Sequence, residues 1–141
     1  MNKFLVHSII LLLLDRLAKV LALKQILTLP GFTLFLNDGI VFSILPSTSV
    51  NIIFSVLILF LVAYSLVAHN NLSGKIQLAL ILIFIGGCSN LFDRFTYGAV
   101  VDYLSFGLQG AFNLADVYVL LGVCILIYHS WRHQPRRFDK N

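Results

Sequence analysis

Glutamate is absent from this chain, and charge of either sign is scarce: 11% of its 141 residues are charged. A soluble domain carries about a quarter charged residues, so an ordinary water-facing surface is excluded. There are two cysteines, Cys88 and Cys124, each inside an apolar run. That placement argues against a disulfide framework and against a cysteine-held metal. The formal charge of +4 comes from basic residues scattered around apolar stretches, without the clustered face that nucleic-acid binding requires. What is abundant is hydrocarbon, with 59% of residues hydrophobic. The chain reads as one integral membrane domain over residues 1–141.

Four apolar stretches, at about 4–23, 50–68, 76–92 and 112–131, are each long enough to cross some 30 Å of lipid at 1.5 Å per helical residue. The expected fold is therefore an all-α membrane protein with four transmembrane helices. AHNNLSGK, from Ala68 to Lys75, is short and turn-rich, which makes the second and third spans a helical hairpin. Lys3, Lys75, Arg132, Arg136, Arg137 and Lys140 fall at the N-terminus, this short loop and the C-terminal tail. An excess of Lys and Arg marks a cytoplasmic face, so both termini are expected inside and the two longer connections outside. Trp131 and Tyr128 suit an interfacial aromatic belt. The first stretch is expected to stay in place as a span, because Asp15, Arg16 and Lys19 follow its apolar core without a small-residue cleavage site.

All six acidic residues are aspartates, and five lie within or beside apolar stretches. A carboxylate at membrane depth is costly and is a functional-site hypothesis by default. Asp15 and Lys19 are four apart and share a helix face; the spacing allows either a structural ion pair or a support for an outer site. Asn90 and Asp93 share a face near the end of the third span, with Arg94 adjacent, where the charges could simply mark the membrane exit. Asn113 and Asp116 repeat the three-residue spacing at the start of the fourth span, where Asn113 can cap the helix. Asp102 sits in an apolar connection, AVVDYL. If Asp102 and Asp116 meet, repulsion leaves one acid and one base near neutral pH, a pair able to activate water. Structural and proton-relay roles fit the same spacing.

Taken together, DRLAK at Asp15–Lys19, NDGIVFSIL at Asn37–Leu45, GGCSNLFDRFTYGAVVDYL at Gly86–Leu104 and FNLAD at Phe112–Asp116 resemble the lipoprotein signal peptidase (signal peptidase II) family of bacterial membrane aspartyl proteases. The blocks cover most of the chain in the family's order. The resemblance implies that Asp102 and Asp116 are the catalytic pair, that Asn37, Gly39, Asn90, Asp93, Arg94 and Asn113 shape the site, and that Asp15 and Lys19 support it. It implies a small extracytoplasmic β-rich segment around Asn37, Gly39 and Phe42. The substrate implied is a diacylglyceryl-modified prolipoprotein, cut just before its lipidated cysteine at the outer face of the bacterial cytoplasmic membrane. No metal or cofactor is expected, a monomer is, and the cyclic peptide globomycin is the expected inhibitor.

Some positions depart from the usual pattern of that family. Ile40 and Val41 stand where small residues are common, Ser89 where Gly is common, and Arg16 where an uncharged polar residue is common. The segment between Asp102 and Asp116 is short. A small proton-coupled transporter is the alternative class, but the inner halves of the second and fourth spans lack the acidic groups of a continuous path. The histidines His7, His69, His129 and His133 fall at the cytoplasmic end, away from the outer serines, which disfavours Ser–His catalysis. HExxH and close Cys/His clusters are missing.

Overall fold

Ser73 and Gly98 bracket the longest helix and set the frame for the rest. The computed structural model describes residues 2–26, 30–38, 48–69, 71–105 and 110–132. Its elements run α1 (Asn2–Leu23), β1 (Phe32–Asn37), α2 (Thr48–Ala68), α3 (Gly74–Tyr97), β2 (Val100–Ser105), β3 (Ala111–Phe112) and α4 (Leu114–Arg132). At the start of α3, Ser73 Oγ accepts the Ile76 amide at 3.4 Å. At its end, the Gly98 N–H donates to Arg94 O at 3.1 Å from a left-handed backbone, φ 74°, that only glycine adopts without cost.

Two element boundaries differ from the sequence expectation. The third helix runs past Phe92 to Tyr97, because nothing from Asp93 to Tyr97 breaks a helix and Asp93 finds partners inside the bundle. The fourth begins at Leu114, since Phe112 is paired in β3 and Asn113 serves as the cap.

The chain is mostly helical. Three helices, Ser49–Ala68, Gly74–Tyr97 and Leu114–Arg132, have the length and composition to cross a membrane. α1 is as long but carries Asp15, Arg16 and Lys19 within five positions. Polarity is inverted relative to a water-soluble domain. Asp15, Lys19, Asp93 and Asn113 are fully buried, while Phe60 is 65% exposed and Leu120 63%. That is the arrangement expected where lipid is the solvent and ionisable groups face the bundle interior.

α3 is the central helix and touches α1, α2 and α4. Its contact with α4 is built on small residues. A Cβ on Gly86 would stand 2.3 Å from the Ala115 carbonyl oxygen, and one on Gly122 would stand 2.6 Å from that of Ala79. The two close points are seven residues apart on each helix, a small-residue seam that lets backbones approach as membrane helices do. One of them lies directly beside Asp116.

The small sheet is antiparallel, in the order β1-β2-β3. Phe35 pairs with Asp102, Leu36 with Val101 and Asn37 with Val100, with an irregularity between Phe32 and Phe35. Leu104 pairs with Phe112 and Ser105 with Ala111. The expected β-rich segment is present at Asn37. The stretch around Asp102, taken from sequence as an apolar connection, is instead the buried central strand. Gly39, Ile40, Val41 and Phe42 lie outside the described residues. Asn51, buried in α2, donates to the Asp38 carbonyl at 3.0 Å and so holds the end of β1 against the bundle.

Gly86→Ala forces backbone against backbone and is expected to destabilise by about 1–3 kcal/mol, the usual cost of overpacking. Gly74→Ala, whose Cβ meets nothing within 4 Å, is expected to leave stability unchanged. Unfolding midpoints of the two purified variants check this; equal midpoints would disprove the close contact.

Candidate active site

The start of α4 carries one aspartate of the site and is wired to three other elements. The first turn of a helix leaves four amides without helical partners, and here each of them is met. Leu114 N donates to Tyr103 Oη of β2 at 3.0 Å, and Ala115 N to Asp15 Oδ1 of α1 at 3.1 Å. Asp116 N donates to Asn113 Oδ1 at 2.9 Å, and the helical ladder begins with Val117 N to Asn113 O at 3.3 Å. In return, Asn113 N donates to Asp116 Oδ2 at 3.1 Å. Asn113 and Asp116 thus form a reciprocal capping box in which one of the capping groups is the site carboxylate itself.

Asp102 reaches the same place from β2. Alternation along a strand puts Val100 and Asp102 on one face, and Asn37 sits opposite Val100. Asn37 is therefore the diagonal neighbour of Asp102, within reach of its side chain, and its Nδ2 donates to Asp102 Oδ2 at 3.1 Å. The Nδ2 of Asn113 donates to Asp102 Oδ1 at 2.6 Å. Asn113 consequently contacts both carboxylates, Asp102 with its side chain and Asp116 with its main chain. Asn90 of α3 closes the group: its Nδ2 donates to Asp116 Oδ1 at 2.7 Å, and its Oδ1 accepts from Asn113 Nδ2 at 3.2 Å.

Lys19 of α1 supports this arrangement from beneath. Its buried ammonium lies 2.7 Å from Asp93 Oδ2 and 3.1 Å from Asp15 Oδ2. It also donates to Asn90 Oδ1 at 2.8 Å and to Ser89 Oγ at 3.3 Å. Asp93 Oδ2 accepts the Val101 amide at 3.2 Å, anchoring the strand that bears Asp102. Arg16 forms a salt bridge with Asp93 and lies 4.5 Å from the centre of the Phe92 ring. Asp15 and Lys19 are thus the ion pair their spacing suggests, and they also reach the site. Arg94, half-buried one residue past Asp93, makes no salt bridge among the described residues, although the charges of Asp116, Asp102 and Asp93 all act on it.

The environment shifts Asp102 strongly. Its carboxyl is pushed up to about 6, chiefly by burial; the Asn37 hydrogen bond opposes the rise, the Asp116 charge adds to it, and the Asn113 hydrogen bond and Lys19 charge oppose it. Among the described residues, no group of three or more His, Cys, Asp or Glu could hold a metal ion. The arrangement offers two carboxylates held by amide donors, a setting in which one proton can be shared and water activated.

Tyr103 is the component that sequence reasoning missed. It is fully buried, donates to Asp15 Oδ1 at 3.1 Å, accepts from Leu114 N, and packs against Phe32 with ring centres 5.3 Å apart and planes tilted by 37°. Burial raises its phenol well above the ordinary value, so it remains a donor. The available signal was a polar-tipped aromatic beside an aspartate in an apolar run. Arg16 and Ser89, singled out only as departures from a family pattern, prove to be neighbours: Arg16 Nη1 lies 3.4 Å from both the Ser89 carbonyl oxygen and Oγ.

This bundle with its small sheet is a known membrane-enzyme architecture. Two solved structures, each described as a bacterial membrane enzyme determined by the in meso method, share the fold. One matches with a TM-score of 0.84 at 22% identity, covering 100% of this chain and 94% of its own. The other matches with a TM-score of 0.81 at 22% identity, covering 95% and 96%. The profile of the family described as Signal peptidase (SPase) II matches residues 7–132. A lipoprotein signal peptidase of Halothermothrix orenii is 31% identical over 137 residues, 89% of this chain and 93% of that protein. One from Streptococcus pyogenes serotype M5 is 33% identical over 143 residues, covering 93% and 94%. The chain therefore belongs to the signal peptidase II family.

Tyr103→Phe removes the hydroxyl shared by Asp15 and the first amide of α4 while keeping the ring. It is expected to lower stability by about 1–3 kcal/mol, the cost of an unmet buried polar group. An unfolding midpoint indistinguishable from wild type would show that the phenol does not hold the helix start.

Proposed function

We propose that this chain is a membrane aspartyl endopeptidase that cleaves diacylglyceryl-modified prolipoproteins just before the lipidated cysteine, with Asp102 and Asp116 as the catalytic pair. The observation that carries the reading is the convergence of the buried Asp102 carboxylate and the half-buried Asp116 carboxylate on Asn113, at one end of the bundle. Lipoprotein substrates follow from the relatives' names. The proton-relay alternative is disfavoured, because the described aspartates gather at one end and form no path to the other.

In this reading the pair holds a single proton, and a water lies between the acids. The ionised carboxylate takes a proton from that water as its oxygen adds to the scissile carbonyl carbon. The protonated partner gives its proton to the carbonyl oxygen, producing a gem-diol. Collapse breaks the C–N bond: the diol returns one proton to the acid, and the base passes its proton to the departing amine. Asn113, Asn90 and Asn37 hold the carboxylates in place, and the charge of Arg94 steadies the negative charge of the pair. Gly39 is assigned to the substrate-facing segment on the resemblance alone. Neither a metal nor an organic cofactor enters the scheme.

We also infer that α1 is a fourth span. Its charges are neutralised inside the bundle, Lys19 by Asp15 and Asp93, and Arg16 by Asp93, which lowers the cost of membrane depth. With four spans both termini share a side, and the Lys/Arg bias puts that side in the cytoplasm. The aspartates then face the outer surface of the bacterial cytoplasmic membrane, where lipid anchor and signal helix both present the scissile bond. A monomer is expected, since the aspartates and the asparagines that hold them come from one chain, and globomycin is the inhibitor expected.

Asp102→Asn and Asp116→Asn are each expected to abolish processing of a diacylglyceryl-modified substrate in reconstituted membranes, with insertion intact; substantial turnover by either variant would refute the pair. The titration of Asp102 offers a separate check. With its carboxyl raised to about 6, the Asp102 component of the infrared carboxylic-acid band, identified as the part missing from Asp102→Asn, should weaken as the pH rises through about 6. The Asn37 hydrogen bond favours the ionised form, so Asn37→Ala should move the midpoint upward. A downward or absent shift would remove Asn37 from the site.

A further inference from the structure

At the end of the bundle away from the described aspartates, two cations and a histidine line one cavity. It measures about 280 Å³ and is bounded by Lys75 in the first turn of α3 and by Ile125, Tyr128, His129 and Arg132 in the last turns of α4. At about 30 Å³ per water, it has room for a hydrated phosphodiester. Ser73 Oγ lies 3.4 Å from His129 Nε2, so the two helix ends meet here. Arg132 Nη1 donates to Tyr128 Oη at 3.3 Å, which fixes the guanidinium beside the opening. At the helical rise, the fifteen residues from Lys75 to Asn90 put this cavity some 22 Å from the acid site.

The charges here are not explained by the helices themselves. His129 and Arg132 suit the negative end of the α4 dipole, but Lys75 sits at the positive end of α3, where a cation is disfavoured. Among the described residues Lys75 makes no salt bridge, and the described aspartates all belong to the other end. A general bias toward basic loops asks for positive residues in the segment, but not for convergence on one cavity. The neighbouring surface of α4 is apolar, with Ile127 63% and Trp131 73% exposed. A ligand that satisfies both features carries a phosphate on a pair of hydrocarbon chains.

We propose that this cavity binds the phosphate of an anionic glycerophospholipid, with Lys75 and Arg132 holding the headgroup and the acyl chains lying along α4. Basic pockets between membrane helices are suited to such headgroups. Zwitterionic lipids lack the net charge to balance the two cations, and a soluble phosphate lacks the chains that would occupy the apolar flank.

The chain's single tryptophan, Trp131, is the reporter. Its fluorescence is read in vesicles containing brominated phosphatidylglycerol or brominated phosphatidylcholine, which gives a relative binding constant at this end of α4. Wild type is expected to prefer phosphatidylglycerol, Lys75→Gln and Arg132→Gln each to lose roughly fivefold of that preference, and Lys75→Arg to retain it. Both residues are exposed, so folding is not threatened. Equal quenching by the two lipids in wild type, or an undiminished preference in Lys75→Gln, overturns the proposal. So does loss of the preference on adding inorganic phosphate at matched ionic strength, which would assign the cavity to a free anion.

Discussion

The rest of the structure depends on one buried ammonium. Lys19 lies where a lone charge would be expelled or neutralised, and it is kept there by two carboxylates and two neutral oxygens drawn from α1 and α3. Removing one partner from such a group leaves an uncompensated buried charge, the expensive way to break an ion pair. The set is electrically balanced: Lys19 and Arg16 offset Asp15 and Asp93. Each of those aspartates also accepts a main-chain amide, Asp15 on its second oxygen and Asp93 on the oxygen that holds Lys19. Asp15 takes one from α4, and Asp93 takes one from β2. The two elements that deliver the acids of the site are thereby fastened to the same cation.

Above that base, the link to the acids runs through asparagines. Asn90 accepts from Lys19 and donates to Asp116; Asn113 donates to Asn90 and to Asp102. Asparagine offers donors and an acceptor with no charge of its own, so the chain of contacts fixes direction without adding to the electrostatic balance. If the acids share one proton, their single negative charge is in part offset by Arg94, on which both act electrostatically. Positioning and charge balance fall to different residues, which is how a group raised by burial can still be held in a defined orientation.

Much of this could be seen in the sequence, and the missing parts share a cause. Asp102, Asp116, Asn90 and Asn113 stood out because polar groups in apolar segments have few bland explanations, and the Asn113–Asp116 spacing matched a helix cap. The Asp15–Lys19 spacing gave the pair on α1, but spacing within one helix says nothing about partners on another, so the reach to Asp93 and Asn90 was hidden. The strand at Val100–Ser105 was hidden for a different reason. Buried on both faces, it shows a continuous apolar run without the alternation that marks a half-exposed strand. With the strand unseen, Tyr103 had no face to be assigned to. The extension of α3 to Tyr97 was missed because Asp93 and Arg94 resembled an exit from lipid, whereas internal pairing made Asp93 tolerable inside the bundle.

The pairing of β2 with β3 has a consequence for how enzymes of this kind can diversify. Leu104 against Phe112 and Ser105 against Ala111 lock the two strands together at the point where one chain segment leaves the sheet and the other enters it. Residues added to the sequence between Ser105 and Ala111 therefore need not alter the pairing. Evolution, or a protein engineer, can lengthen the sequence there while Asp102 and Asp116 keep their places.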